Sequence, residues 1–166
     1  HHSFTEYLKG TTRSEDDPGY PILRRGSTHA ALATSCLQYL QAGCLESVSL
    51  DQPQRYSGWQ HEESDRPVGL ESRLKHPFFE YAINNWAHHA NRSESAGHDQ
   101  TALNVEIGKL LGDDDNRRRW LRMEAPGYES LTPLHVAAKE GLVSYTKEVL
   151  KTSEVDALSQ YDQTPL

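Results

Sequence analysis

The feature that most constrains this chain is a short motif near its C-terminal end that returns after a fixed interval. Residues 132–143 read Thr-Pro-Leu-His-Val-Ala-Ala-Lys-Glu-Gly-Leu-Val, and Thr-Pro-Leu returns at residues 164–166, 32 positions after Thr132. A recurrence at roughly 20–50 residues is typical of repeat proteins, in which each repeat buries its apolar face against its neighbours. The sequence therefore predicts the start of a stacked repeat array.

Local chemistry predicts that the motif forms a helix with defined ends. Thr132 suits the N-cap, and its hydroxyl can also reach the His135 side chain. Pro133 falls in the first helical turn, where a missing N–H costs nothing. Gly141 suits the helix end. A second helix is expected from about Ser144 to Lys151.

The motif resembles the opening of an ankyrin repeat, and the resemblance covers about residues 124–166. The family period is about 33 residues, so this repeat is roughly one residue short, and only the first repeat is complete. A single repeat cannot bury its apolar face alone, so it must stack on preceding helices or on further repeats. The positions that carry the resemblance are Thr132, Pro133, Leu134, His135, Ala137, Ala138, Gly141, Thr164, Pro165 and Leu166.

The ankyrin resemblance implies a function in protein binding. Ankyrin arrays usually bind a protein partner through the tips of their β-turns and their concave helix surface. The implied interaction residues are Tyr128, Glu129 and Ser130 in the first tip and Gln160, Tyr161 and Asp162 in the second.

Apolar residues at helical spacing predict two helices in the N-terminal half. The first follows a cap at Ser27 or Thr28 and ends at Gly43, and the second follows Pro77. A short helix over residues 3–9, an edge strand over 20–23 and a long loop over 46–74 are also expected. The predicted apolar stripes are Ala33, Cys36, Leu37 and Leu40 in the first helix and Phe79, Ala82, Ile83 and Trp86 in the second.

A polar stretch, residues 91–98, is interpreted as a boundary before two further helices. Asp99 suits the cap of the first, which ends at Gly112, and Asp113 to Asp115 suit the start of the next. Residues 93–123 are therefore expected to form a helical linker or an N-terminal cap for the repeats. Arg117, Arg118 and Arg119 are expected to form a solvated face of the second helix, because the neighbouring aspartates offset their charge.

The first 92 residues resemble the winged-helix and helical region that follows the NACHT module in fungal STAND-type nucleoside triphosphatases with ankyrin tails. The resemblance lies in His-His-Ser-Phe-Thr-Glu-Tyr-Leu at residues 1–8, in residues 36–40 and in residues 77–86. It implies that His1 acts as a nucleotide sensor in the full-length protein. This chain carries no Gly-x-x-x-x-Gly-Lys-Ser/Thr segment, so no cofactor is expected in it.

Composition and motif content exclude several classes of function. A net charge of −7 argues against a general binder of nucleic-acid backbones. Neither a Gly-x-Ser-x-Gly motif nor a His/Cys spacing of a metal site is present, so we expect no catalytic or metal-binding residue. Cys36 and Cys44 are expected to be reduced thiols, and no signal peptide is expected because residues 1–20 lack a basic stretch followed by an apolar one.

Together these patterns predict a mostly α-helical fragment of a longer protein. Residues 1–92 would form the winged-helix tail and helical segment, 93–123 the linker or cap, and 124–166 the beginning of an ankyrin solenoid. The expected function is non-catalytic protein interaction and scaffolding that couples a nucleotide switch elsewhere in the protein to partner-binding repeats. The expected partners are another protein and the rest of its own chain, in the cytoplasm with a nuclear location left open, and with no membrane. The alternative is a nucleic-acid-binding winged-helix module.

Overall fold

The structure is a computed structural model that describes residues 24–50, 75–152 and 164. Within these ranges the chain is mostly helical, as predicted, and contains no strand. The predicted helix over residues 3–9, the edge strand over 20–23 and most of the predicted loop lie outside the described residues. The α-helices are α1 Arg25–Gln41, α2 Phe79–Ser95, α3 Thr101–Gly112, α4 Asp114–Glu124, α5 Pro133–Lys139 and α6 Val143–Val149, with a 3₁₀ helix at Cys44–Ser47.

Among the described helices, α1 and α2 share the most extensive interface, and they run antiparallel. Residue His29 near the start of α1 meets His89 near the end of α2, while Tyr39 near the end of α1 packs on Phe78 just before α2. Both predicted apolar stripes are confirmed as buried faces. The beginning of α1 differs from prediction, since the helix starts at Arg25 and Ser27 donates its hydroxyl to the Arg24 carbonyl instead of capping.

Helix α2 continues to Ser95 and so includes most of the polar stretch, residues 91–98, that was interpreted as a boundary. Ala90 and Ser93 extend the buried face of the helix, and the Ser93 hydroxyl accepts a hydrogen bond from Gln100 Nε2 at 3.1 Å. The helix ends at Ser95, and Gly97 adopts a left-handed φ of 74° in the following turn. A buried serine that is satisfied by a partner seven residues away carries no hydrophobic signal in the sequence.

Helices α3 and α4 follow each other with only Asp113 between them, and both contribute buried residues to the core. Asp113 caps α4 by accepting the Asn116 N–H at 3.0 Å, at the helix start where the sequence favoured acidic residues. The start of α3 differs from prediction, since its N-cap is Gln100, without a side-chain cap, and Asp99 just before it accepts the Thr101 N–H at 3.1 Å. The Trp120 ring packs edge-on against Trp86 with centroids 5.3 Å apart, and its Nε1 donates to the Ile83 carbonyl at 3.2 Å. Burying a large apolar side chain contributes roughly 1.5–3 kcal/mol, so this tryptophan pair anchors α4 to α2.

The repeated motif forms the helix pair α5 and α6. Thr132 is the N-cap of α5, with Pro133 at the first helical position. The Gly141 N–H donates to the Ala138 carbonyl at 3.1 Å and the Leu142 N–H to the Ala137 carbonyl at 2.9 Å. These are the two bonds of a Schellman ending, and Gly141 supplies the φ of 68° that it requires. Both ends of the predicted helix are confirmed, although α6 begins and ends slightly earlier than expected.

Candidate interaction surface

Two successive turns between α4 and α5 form the predicted first tip. The Tyr128 N–H donates to the Ala125 carbonyl and the Leu131 N–H donates to the Tyr128 carbonyl, both at 3.1 Å. Gly127 has a φ of 90°, which only glycine adopts without strain. The turns leave 42% of Tyr128 exposed, while Leu131 is buried in the core. The tip therefore presents an aromatic side chain on a backbone fixed by hydrogen bonds.

A polar groove adjoins this tip and contains two of the predicted tip residues. The groove has a volume of about 380 Å³, and a second cavity of about 560 Å³ shares Leu50 and Arg118 with it. We call the first cavity the tip groove. Its lining residues are Leu50, Asp114, Arg117, Arg118, Arg122, Glu129 and Ser130.

Arg117 in the tip groove supports the backbone and does not form part of a solvated face. Its Nε donates to the Leu131 carbonyl at 3.0 Å and its Nη1 to the Leu111 carbonyl at 2.6 Å. Its Nη2 pairs with Asp114, and only 11% of the side chain is exposed. The guanidinium thus joins the end of α3 to the tip. The prediction of a solvated face is wrong for this residue, because the carbonyls that bind it come from other elements.

Arg122 makes a similar internal connection. Its Nη1 donates to the Ser49 carbonyl, and its Nε lies 3.4 Å from Glu129 Oε1. Glu129 therefore holds the tip against α4, so its role includes structural support. Arg118, by contrast, is 46% exposed and lies 3.8 Å from Asp114. Of the basic residues that line the tip groove, Arg118 is the one that can meet a partner.

Several residues of the repeated motif lie where the sequence predicted capping or packing. Thr132 Oγ1 lies 2.7 Å from His135 Nδ1 and 3.4 Å from the His135 N–H, so the predicted contact is confirmed. Leu134 and Ala137 are buried, while Ala138 is partly buried. Thr164 is exposed. Six further predicted residues lie outside the described part of the chain: His1, Gln160, Tyr161, Asp162, Pro165 and Leu166.

A chain of titratable groups that the sequence did not reveal crosses the α1–α2 interface. The Nδ1 atoms of His29 and His89 lie 2.9 Å apart, and the Tyr81 hydroxyl lies 2.7 Å from His89 Nε2. Burial, followed by the charges of Arg25, His88 and Arg92, lowers the pKa of His29 below 6.5. Burial, followed by the two other histidines, lowers the pKa of His89 in the same direction. The pattern of nine histidines gave no sign of this pair, because its members are 60 residues apart.

The described residues offer little for covalent or metal chemistry. No group of three or more His, Cys, Asp or Glu side chains within them has an arrangement that could hold a metal ion. Cys36 and Cys44 are free and buried, and burial raises the pKa of each thiol to about 11. A thiol with so high a pKa is a poor nucleophile at neutral pH.

In comparisons with known proteins, no family model, curated protein or solved structure matches this chain. No helix in the described ranges is long and apolar enough to cross a membrane.

Proposed function

We propose that this chain is a non-catalytic protein-interaction and scaffolding segment of a NACHT-type signalling protein, and that α5 and α6 form its first ankyrin repeat. The observation that carries the proposal is the geometry of the motif. Thr132 caps α5, Gly141 closes it in a Schellman ending, and an exposed Tyr128 precedes it on an ordered turn. This combination supports a repeat that stacks through its helices and binds through its tip.

The tip groove suits contact with a protein surface. Tyrosine contributes a large rigid contact area at a low cost in side-chain entropy, and such residues are enriched at interfaces. Beside Tyr128, Ser130 and Arg118 supply polar groups, with Arg118 able to meet a carboxylate of the partner. The partner is therefore a protein that covers Tyr128 with an apolar pocket and faces Arg118 with an acidic group.

The connection to a nucleotide switch rests on the resemblance of residues 1–92 to the region that follows a NACHT module. In this proposal His1 senses nucleotide in the full-length protein, and the helical body transmits the state of the switch to the repeats. Further repeats would stack on the α5–α6 pair, since a single repeat leaves one face of the stack uncovered.

The proposal is tested by cross-linking in the full-length protein. A photo-reactive phenylalanine analogue at position 128 captures the partner, and the same analogue at the exposed Val105 on α3 is the control. With the purified partner, Tyr128→Ala should weaken the Kd by about tenfold or more, as for an interface hot spot, while Val105→Ala leaves it within about twofold.

Two results would contradict this function. One is an equal loss of affinity in both variants. The other is capture of nucleic acid in place of a protein, with an affinity that falls steeply between about 50 and 200 mM salt, as expected for a binder of phosphates. The second result would favour the winged-helix alternative. Against that alternative, Arg117 and Arg122 already bind internal carbonyls and Arg122 lies beside Glu129, so these guanidinium groups are engaged within the fold and support protein binding over phosphate binding.

A further inference from the structure

Two residues near the C-terminal end of α2 bind the end of α5 and the start of α6. Glu94 Oε1 accepts a hydrogen bond from the Ser144 N–H at 2.9 Å, close to the start of α6. The N-cap residue of α6 is Leu142, whose side chain cannot accept a hydrogen bond. A carboxylate from a different helix therefore takes the place of the missing cap.

Asn91 makes the complementary contact at the end of α5. Its Nδ2 donates to the Glu140 carbonyl at 2.6 Å, and Glu140 is the C-cap of that helix. Asn91 and Glu94 are three residues apart, so they lie on one face of α2. One face of α2 thus supplies a donor to the carbonyl end of α5 and an acceptor to the amide end of α6.

Ser144 is also bound from α3. Asn104 is buried, and its Nδ2 lies 3.1 Å from both Ser144 Oγ and Glu148 Oε2. The N-terminal turn of α6 is therefore held by α2 through its backbone and by α3 through its side chains. Helices as short as α5 and α6, with seven residues each, gain little from their own propensity and depend on such external contacts.

We propose that Asn91 and Glu94 form a coupling joint through which the position of α2 controls the order of the repeat. A displacement of α2 in its packing against α1 and α4 withdraws both caps and loosens α5 and α6. By reciprocity, a partner that orders the repeat also stabilises the packed position of α2. The inference rests on the proposed function only in treating α5 and α6 as the binding module.

Hydrogen–deuterium exchange of the intact chain tests the joint. Glu94→Ala should speed amide exchange at Ser144 and along α6 by about fivefold, the change expected for the loss of a helix cap, while exchange in α1 stays within about twofold of wild type. Asn91→Ala should act in the same direction at the end of α5. The matched control is Ser95→Ala, an exposed residue in the same turn of α2.

A second measurement tests the direction of the coupling. Ile83 is buried on α2, and Ile83→Val is a mild change that the fold should tolerate. In the wild-type background, Ile83→Val should speed amide exchange in α6. In the Glu94→Ala background, the same substitution should speed exchange in α6 clearly less, because the cap that couples the two helices is already absent.

Three outcomes would overturn the joint. These are unchanged exchange in α5 and α6 in both cap variants, a uniform rise that includes α1, and an equal effect of Ser95→Ala. All are measured without a partner, so a failure of the joint is distinct from a failure of Tyr128→Ala to weaken binding. If Tyr128→Ala fails to weaken binding, the proposed function is contradicted, but the exchange results still test the joint.

Discussion

At the scale of single residues, the contact between His29 and His89 makes the α1–α2 interface sensitive to pH. Two imidazole nitrogens 2.9 Å apart need one proton between them. In one consistent arrangement, Tyr81 donates to His89 Nε2 and His89 Nδ1–H donates to His29. Protonation of both imidazoles would place two N–H groups against each other, close to the positive charges of Arg25 and Arg92. The interface is therefore strongest when the pair carries at most one charge.

The corresponding prediction concerns stability at mildly acidic pH. Both histidines have pKa values in the folded state below their ordinary value of 6.5. The unfolded chain therefore binds more protons, and the free energy of unfolding should fall as pH is lowered from about 7.5 to about 5.5. Thermal unfolding at several pH values measures this. His89→Gln should reduce the pH dependence; equal pH dependence in wild type and His89→Gln would contradict the prediction.

At the scale of elements, the α5–α6 pair depends on the burial of its first helix. Leu134 in α5 is 1% exposed, whereas Val143 at the start of α6 is 52% exposed. These two residues differ strongly in burial although both are aliphatic. They therefore form a matched test of whether the pair is a packed unit.

Leu134→Ala should lower the free energy of unfolding by about 2–5 kcal/mol, because it removes buried apolar volume and leaves a cavity. Val143→Ala should change it by less than about 0.5 kcal/mol, as for most surface substitutions. Urea unfolding followed by circular dichroism gives both values. If Leu134→Ala proves as neutral as the control, the stacked-repeat interpretation of α5 and α6 is wrong.

The elements themselves were largely predictable from local sequence. The apolar spacing predicted the buried faces of α1 and α2. Thr132 and Gly141 predicted the two ends of α5, because cap interactions lie within a few residues. The extension of α2 to Ser95 was missed, since its last turn is stabilised by partners in other elements. The same reason applies to Arg117, whose acceptors are the carbonyls of Leu111 and Leu131 in other elements.

The tip region illustrates how far the candidate site could be predicted. The family resemblance indicated Tyr128, Glu129 and Ser130, and these residues do form an ordered turn beside a groove. The groove itself was not predicted, because Leu50 and Arg118 reach it from distant positions in the chain. The supporting role of Glu129 depends on the same tertiary contact and was equally hidden.

At the scale of the whole molecule, Arg117 connects three parts of the structure at one point. It satisfies the carbonyls of Leu111 and Leu131 and pairs with Asp114. Removal of the guanidinium leaves these largely buried carbonyls without their donor. Such a loss typically costs about 1–3 kcal/mol.

Arg117→Met, which keeps much of the aliphatic stem, should therefore lower the free energy of unfolding by about 1–3 kcal/mol. Arg118→Met is the matched control, and its exposed ion pair with Asp114 should contribute less than about 1 kcal/mol. Chemical denaturation of the two variants gives both changes in the free energy of unfolding. Equal stability losses would mean that the internal bonds of Arg117 add nothing beyond surface charge.

The contacts that α2 makes with distant parts of the chain also affect how the chain folds. The contact that joins Trp120 to Ile83 spans 37 residues of chain, and the contact of His29 with His89 spans 60. Closing long loops costs entropy before any contact forms, so contacts of this kind slow folding relative to local helix pairs. During synthesis α1 emerges well before α2, and its apolar face stays uncovered until α2 follows. We therefore expect chaperones to bind the newly made α1 until α2 covers its apolar face.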